Sequence, residues 1–132
     1  MIRRLACVSV AVKDLDQGRR TFTERLGLQE LSGVQESQRG FGLRWIEYGV
    51  NENLVLELLT ASGPGPVERF LARNGEGLYQ VRLEVDELDK TLDELRSRGV
   101  RVVTDDTRPE GARKLGWIHP SSAHGVLFEL VE

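Results

Sequence analysis

Two short apolar runs constrain this chain more than anything else in it. LVLELL (54–59) and VLFELV (126–131) each carry one carboxylate near the middle, Glu57 and Glu129. Both runs have strand composition, and strand side chains alternate between faces. Val55 and Leu59 therefore share a face with Glu57, and Leu127 and Val131 share one with Glu129. A carboxylate on an apolar face is costly to bury unless a cation or hydrogen-bond donors meet it. The two glutamates lie 72 positions apart, and VSVAVKDLD (8–16) lies 73 positions before VRLEVDELD (81–89). One shift, within a residue, relates first strand to first strand and last strand to last strand. This predicts a duplicated βαβββ module. The same shift makes Cys7 the partner of Gln80, so the duplication singles out Cys7, Glu57, Gln80 and Glu129. If one face of each sheet packs on its helix, the other faces can close around a shared cavity.

The pattern can be followed along the chain. Residues 5–12 read as a strand with Val8, Val10 and Val12 on one face and Cys7, Ser9 and Ala11 on the other. Asp14 or Asp16 caps a helix whose apolar stripe is Leu15, Phe22 and Leu26, ended by Gly27. Strands follow near 28–34, 41–49 and 53–60. ASGPGP (61–66) breaks the pattern, and Pro66 opens a short helix, PVERFLARN, closed at Gly75. The second half repeats the order: a strand at 78–85, a helix over 86–99 with Leu88, Leu92 and Leu95 inward, and strands near 100–104, 114–118 and 125–131. TDDTRPEGARK (104–114) is a polar loop. The expected architecture is α+β: one domain over 1–132, with module 1 at about 1–64, a linker helix at 66–74 and module 2 at about 75–132. The modules are related by a pseudo-twofold, and their curled mixed sheets enclose a central cavity.

Composition excludes several function classes. A net charge of −3 with 30% charged residues gives no nucleic-acid footprint. No run is long enough to span a membrane, and MIRRLACVSVAV reads as a first strand rather than a signal peptide. Cys7 is the only cysteine, so no intrachain disulfide forms and a reducing, cytoplasmic location is expected. His119 and His124 fall in the turn HPSSAHG and read as turn or surface residues. Cys7 reads as a small buried hydrophobe, and DELDKTLDELRSR as a solvated helix face.

The stretches VAVKDLD (10–16), LGL (26–28), LELL (56–59), PVERFLARNGEGL (66–78), LEVDELD (83–89), LRSRGVR (95–101) and HPSSAHGVLFELVE (119–132) resemble the vicinal oxygen chelate superfamily. That superfamily includes glyoxalase I, bleomycin-resistance proteins and extradiol dioxygenases. Within it the likeness is greatest to the methylmalonyl-CoA epimerases, nearly end to end. The resemblance implies a glyoxalase-like fold, homodimer assembly and a divalent metal (Zn, Co, Mn or Ni) held by two histidines and two Glu or Gln side chains. It places the acidic ligands on Glu57 and Glu129 and the histidines on Cys7 and Gln80. It also places one catalytic base on Glu129 and the other, normally a glutamate, on Gln38 in QRG.

Both expected histidines and one expected base are therefore replaced. Gln80 offers a weak neutral oxygen, while Cys7 as a thiolate would favour a softer metal such as zinc. Arg82 shares a face with Gln80 and Glu84. With Arg44, it stands where the family commonly has a small residue. A guanidinium keeps its charge and pairs well with carboxylates, so Arg82, joined by Arg44 if that side chain does not point to solvent, is expected to occupy the cation's place beside Glu57 or Glu129, leaving no metal. Trp45 and Trp117 hold third-strand positions and read as core or cavity wall, able to stack on a ligand. Three functions fit these residues: an epimerase-type enzyme for an acyl-CoA or small oxo-acid, a metal-independent small-molecule-binding or drug-sequestering protein, and an enzyme with a metal site rebuilt around Cys7.

Overall fold

The computed structural model describes residues 1–106 and 108–132. Thr107, within the expected polar loop, lies outside the described residues. The chain divides into two compact units, Cys7–Tyr79 and Met1–Ala6 with Gln80–Glu132. Each is a mixed sheet with a helix on one face, in keeping with the expected α+β class.

In the Cys7–Tyr79 unit, β1 (Ile2–Ala11, which begins in the other unit) pairs in parallel with β5 (Asn53–Ala61). β5 pairs antiparallel with β4 (Leu43–Val50), and the short β2 (Gln29–Glu30) and β3 (Gln35–Glu36) line β4. Of the strand expected near 28–34 only β2 forms, and β3 lies just beyond it. Ser32 and Gly33 fall between them, and Ser32 spends its hydroxyl on the Glu47 N–H. Asp14 caps α1 (Leu15–Arg19), accepting the Gln17 N–H. The helix then widens into a π-helical turn, Arg20–Arg25. That turn changes the phase of the apolar stripe. Leu26 donates its N–H to Thr21 O, five residues back, and its side chain is 61% exposed rather than inward. Leu15 and Phe22 do pack on Val12, Ile46, Tyr48 and Leu58, the apolar face of this sheet. The opposite face is closed at one end by α2 (Pro66–Asn74), whose Val67, Phe70 and Leu71 pack with Ala11, Leu59 and Trp45.

In the other unit, β6 (Gly77–Val85, entering it at Gln80) pairs in parallel with β9 (Phe128–Val131). β9 pairs antiparallel with β8 (Gly116–Ile118), and β8 with β7 (Val102–Thr104). The first residues of β1 run along the end of β6, where the Asp86 N–H reaches Met1 O and Arg4 pairs with Glu84. α3 (Leu88–Ser97) has no side-chain cap at Glu87. It is held by burial: Leu88 and Leu92 pack on Val85, Ile118 and Leu130 with Leu95 beside them, at about 2 kcal/mol for each fully buried leucine. Among the described residues, no helix is long and apolar enough to cross a membrane.

Candidate functional site

The parallel pairings place the carboxylates. In the Cys7–Tyr79 unit, Ser9 lies directly across from Glu57, and on the other side of Glu57 the antiparallel partner is Glu47. Ser9, Glu57 and Glu47 thus form a row on the sheet face opposite the α1 core. Ser9 Oγ donates to Glu57 Oε1 at 3.2 Å, and the Cys7 thiol approaches the same oxygen at 3.9 Å. Cys7 and Ser9 are wholly buried and Glu57 is 5% exposed.

In the other unit the corresponding row is Arg82, Glu129 and Trp117. Arg82 Nε donates to Glu129 Oε1 at 2.6 Å, and Gln80 Nε2 donates to Oε2 at 2.9 Å. Both oxygens of this buried carboxylate therefore accept hydrogen bonds, one of them charge-assisted. The sequence shift carries over into the contacts. Ser9 and Arg82, 73 positions apart, each donate to the glutamate of their own half, as do Cys7 and Gln80.

The remaining expected site residues lie elsewhere. Gln38 is exposed and gives its amide to Glu36 O at 3.4 Å. Arg44 is also exposed. Its register partner is Thr60, so it stands on the face opposite Glu57, and it pairs with Glu36, Nε to Oε2 at 2.5 Å. Arg44, followed by Ser62, holds the Glu36 carboxyl below its ordinary value. The expectation that Arg44 stands beside the carboxylates is corrected: strand alternation turns it away. Trp45 packs under α2 and gives its indole N–H to Glu47 Oε1 at 3.4 Å. His119 Nδ1 accepts the Ser121 N–H at 3.0 Å and caps the turn Pro120–Ser122. Sequence reading did not single out Ser9 and Glu47. The shift of 73 pointed to Ser9 through Arg82, while Glu47 emerges only from the β4–β5 register.

The side chains present do not fit the divalent ion that the resemblance implies. Such a site needs lone pairs that converge on one point. Here Gln80 turns its NH₂ toward Glu129, and a permanent cation already lies 2.6 Å from the other oxygen of that carboxylate. Among the described residues, no three His, Cys, Asp or Glu side chains are grouped to hold a metal.

Comparison with known proteins accords with this architecture. The profile described as the Glyoxalase/Bleomycin resistance protein/Dioxygenase superfamily matches residues 8–117. Mitochondrial methylmalonyl-CoA epimerase from Bos taurus is 30% identical over 130 residues, covering 96% of this chain and 73% of that protein. Ethylmalonyl-CoA/methylmalonyl-CoA epimerase from Cereibacter sphaeroides is 30% identical over 134 residues, covering 98% of each. The crystal structure of methylmalonyl-CoA epimerase from Mycobacterium tuberculosis superposes with a TM-score of 0.84 at 29% identity, covering 99% of this chain and 88% of that one. A Streptomyces coelicolor methylmalonyl-CoA epimerase variant, solved in complex with 2-nitronate-propionyl-CoA, gives 0.85 at 26% identity, with 99% and 97% covered.

Proposed function

This chain belongs to the glyoxalase/bleomycin resistance protein/dioxygenase superfamily, and from that premise we propose that it binds an acyl-CoA or small oxo-acid at a metal-independent form of the epimerase site. The observation that carries the reading is the engagement of Glu129 by Arg82 and Gln80. In the epimerase relatives named above, the substrate class is a branched malonyl thioester. Racemising such a compound needs an acceptor for the α proton on each face and a centre that stabilises the enolate. Gln38 is a neutral, exposed amide, and each oxygen of Glu129 already accepts a hydrogen bond, one of them from a guanidinium. These side chains favour holding a ligand over exchanging its α proton.

The test combines binding and isotope exchange. Calorimetry with methylmalonyl-CoA in EDTA is expected to show saturable binding. Incubation in heavy water, with zinc, cobalt or manganese supplied, is expected to leave the α carbon without deuterium. Metal-dependent deuterium uptake would overturn metal independence. Absence of binding by any acyl-CoA or 2-oxo acid would overturn the ligand class and favour a drug-sequestering role. Bound zinc that is lost on Cys7→Ala would instead support a metal centre rebuilt on Cys7 and Glu57, whose sulfur and oxygen are 3.9 Å apart.

A further inference from the structure

We propose that His119 is a further ligand-binding residue, whose Nε2–H is a fixed, neutral donor for the carbonyl oxygen of the ligand. The inference rests on the ligand class proposed above and adds a residue that grips it. Every residue involved lies in Gln80–Glu132, within one unit. Trp117 is the register partner of Glu129, and its neighbour Ile118 turns to the α3 core. His119 follows with extended backbone, φ −62° and ψ 139°. Its N–H reaches Arg101 O at 2.8 Å, one step beyond the β7–β8 register. Strand alternation therefore puts His119 on the face of Trp117 and Glu129, away from α3. There it is a diagonal neighbour of Glu129 across β8 and β9, close enough for one ligand to touch both.

The turn decides what this imidazole offers. Nδ1 accepts the Ser121 N–H at 3.0 Å and lies 2.8 Å from Ser121 Oγ. A backbone N–H can only donate, so Nδ1 presents its lone pair and the proton of the neutral ring sits on Nε2. The same contact fixes the ring, because it ties Nδ1 to the turn Pro120–Ser122. Nε2 is on the side of the ring away from that turn, and among the described residues it has no hydrogen-bond partner. The side chain is only partly buried, so the donor can be reached. Two other donors on this face, Gln80 Nε2 and Arg82 Nε, serve the Glu129 carboxylate. A carbonyl oxygen laid over Trp117 would meet the His119 N–H. An N–H held in place in advance loses little freedom on binding, and a neutral donor avoids burying a new charge.

Two substitutions separate the cap from the donor. Asparagine is a good N-cap whose Oδ1 can accept the Ser121 N–H, but it has no group at the Nε2 position. Glutamine places its NH₂ near that position. Binding of methylmalonyl-CoA is measured in EDTA, with urea unfolding beside it. His119→Asn is expected to keep the wild-type urea midpoint and to bind about three- to tenfold more weakly, the scale of one neutral hydrogen bond. His119→Gln is expected to recover part of that affinity. Unchanged affinity in His119→Asn would overturn the inference while leaving acyl-CoA binding intact. Nitrogen NMR of the wild type needs no variant and decides the matter if His119→Asn does not fold; His124 is the only other histidine. At about pH 8.5 the free protein is expected to show His119 protonated on Nε2. Saturating methylmalonyl-CoA is expected to shift the Nε2 resonance more than that of Nδ1. A proton on Nδ1, or an Nε2 resonance left unmoved by the bound thioester, would equally overturn the donor. A wild type that binds no acyl-CoA or 2-oxo acid would instead remove the functional reading on which the donor depends.

Discussion

Arg82 and Glu129 are direct register partners on the parallel strands β6 and β9, and their side chains meet at 2.6 Å. Removing one member of such a pair strands the other's charge in a low-dielectric site. Arg82→Met is therefore expected to lower stability by about 3 kcal/mol, the lower end for a broken buried pair because Arg82 keeps some exposure. Replacing both residues, Arg82→Met with Glu129→Leu, should recover most of that loss, since it removes the unpaired charge as well. Urea unfolding of the two variants checks this. Equal destabilisation by the single and double changes would mean that packing, not charge, holds the pair.

Glu47 and Glu57 face each other across the antiparallel β4–β5 pair. Like charges directly opposite are unfavourable, by a few tenths to about 1 kcal/mol. Glu47→Gln keeps an oxygen for the Trp45 indole N–H, which lies 3.4 Å from Glu47 Oε1, and removes the repulsion. It is expected to stabilise the protein by about 0.5 kcal/mol in urea denaturation. A loss of similar size would show that the Glu47 charge is itself compensated in the fold.

What the sequence made legible, and what it did not, divides along physical lines. Period-two alternation located the strands that carry Glu57 and Glu129 and set these carboxylates apart from the helix-packed faces, because burying one face of a strand leaves a clear pattern; that these strands pair in parallel with β1 and β6 comes from the fold. The offset between repeats singled out Cys7 and Gln80 as matching positions, since a duplicated backbone repeats its register; that each donates to the carboxylate of its own half is seen only in the structure. Arg82 was expected beside a carboxylate and is. Arg44 was to join it unless its side chain pointed to solvent, and it is exposed, because position 44 is an odd number of residues from Glu47 and strand alternation turns it to the other face. Leu26 followed a 3.6-residue period that the π-helical turn interrupts, and nothing local in RTFTER announces that turn. Glu47 was invisible because its importance comes from its neighbour across the sheet, which depends on hairpin register. The segment 28–42, rich in Ser and Gly, has too little alternation to fix strand limits, so β2 is shorter than the strand expected there, β3 was not anticipated, and Gln38 falls in an exposed loop.

Gly18 marks the close approach of α1 to the sheet. A methyl group there would lie 2.9 Å from Leu58 Cδ2 and 3.1 Å from Val12 Cγ2. Both neighbours are buried, so neither can swing away freely. Alanine gains about 1 kcal/mol over glycine inside a helix, but overpacking costs about 1–3 kcal/mol. Gly18→Ala is expected to lower stability by about 1 kcal/mol, seen as a fall in Tm. A rise in Tm would mean that α1 shifts outward at little cost, and that its distance from β5 is not set by this contact.

Tyr48 should govern part of the alkaline limb of stability. The residue is wholly buried, and its hydroxyl lies 2.9 Å from Thr23 Oγ1. Burial pushes the phenol above its ordinary value of 10.0, with the Thr23 hydrogen bond acting the other way. Above about pH 10 the unfolded chain releases this proton while the folded chain keeps it, so the folded state binds more protons and stability falls as pH rises. The contribution is fully present below the unfolded value and is lost as pH climbs through the interval up to the folded one, at no more than about 1.4 kcal/mol per pH unit. Tyr48→Phe gives up the contact with Thr23, so at neutral pH it should be less stable by about 1 kcal/mol. Its stability should then fall less steeply than the wild type between pH 10 and 11, narrowing the gap. Urea midpoints for the two proteins, measured from pH 7 to 11, test this through their difference, from which other titrating groups cancel. Parallel curves across that range would show that the Tyr48 phenol ionises equally in the folded and unfolded chains, and that its burial does not disfavour the phenolate.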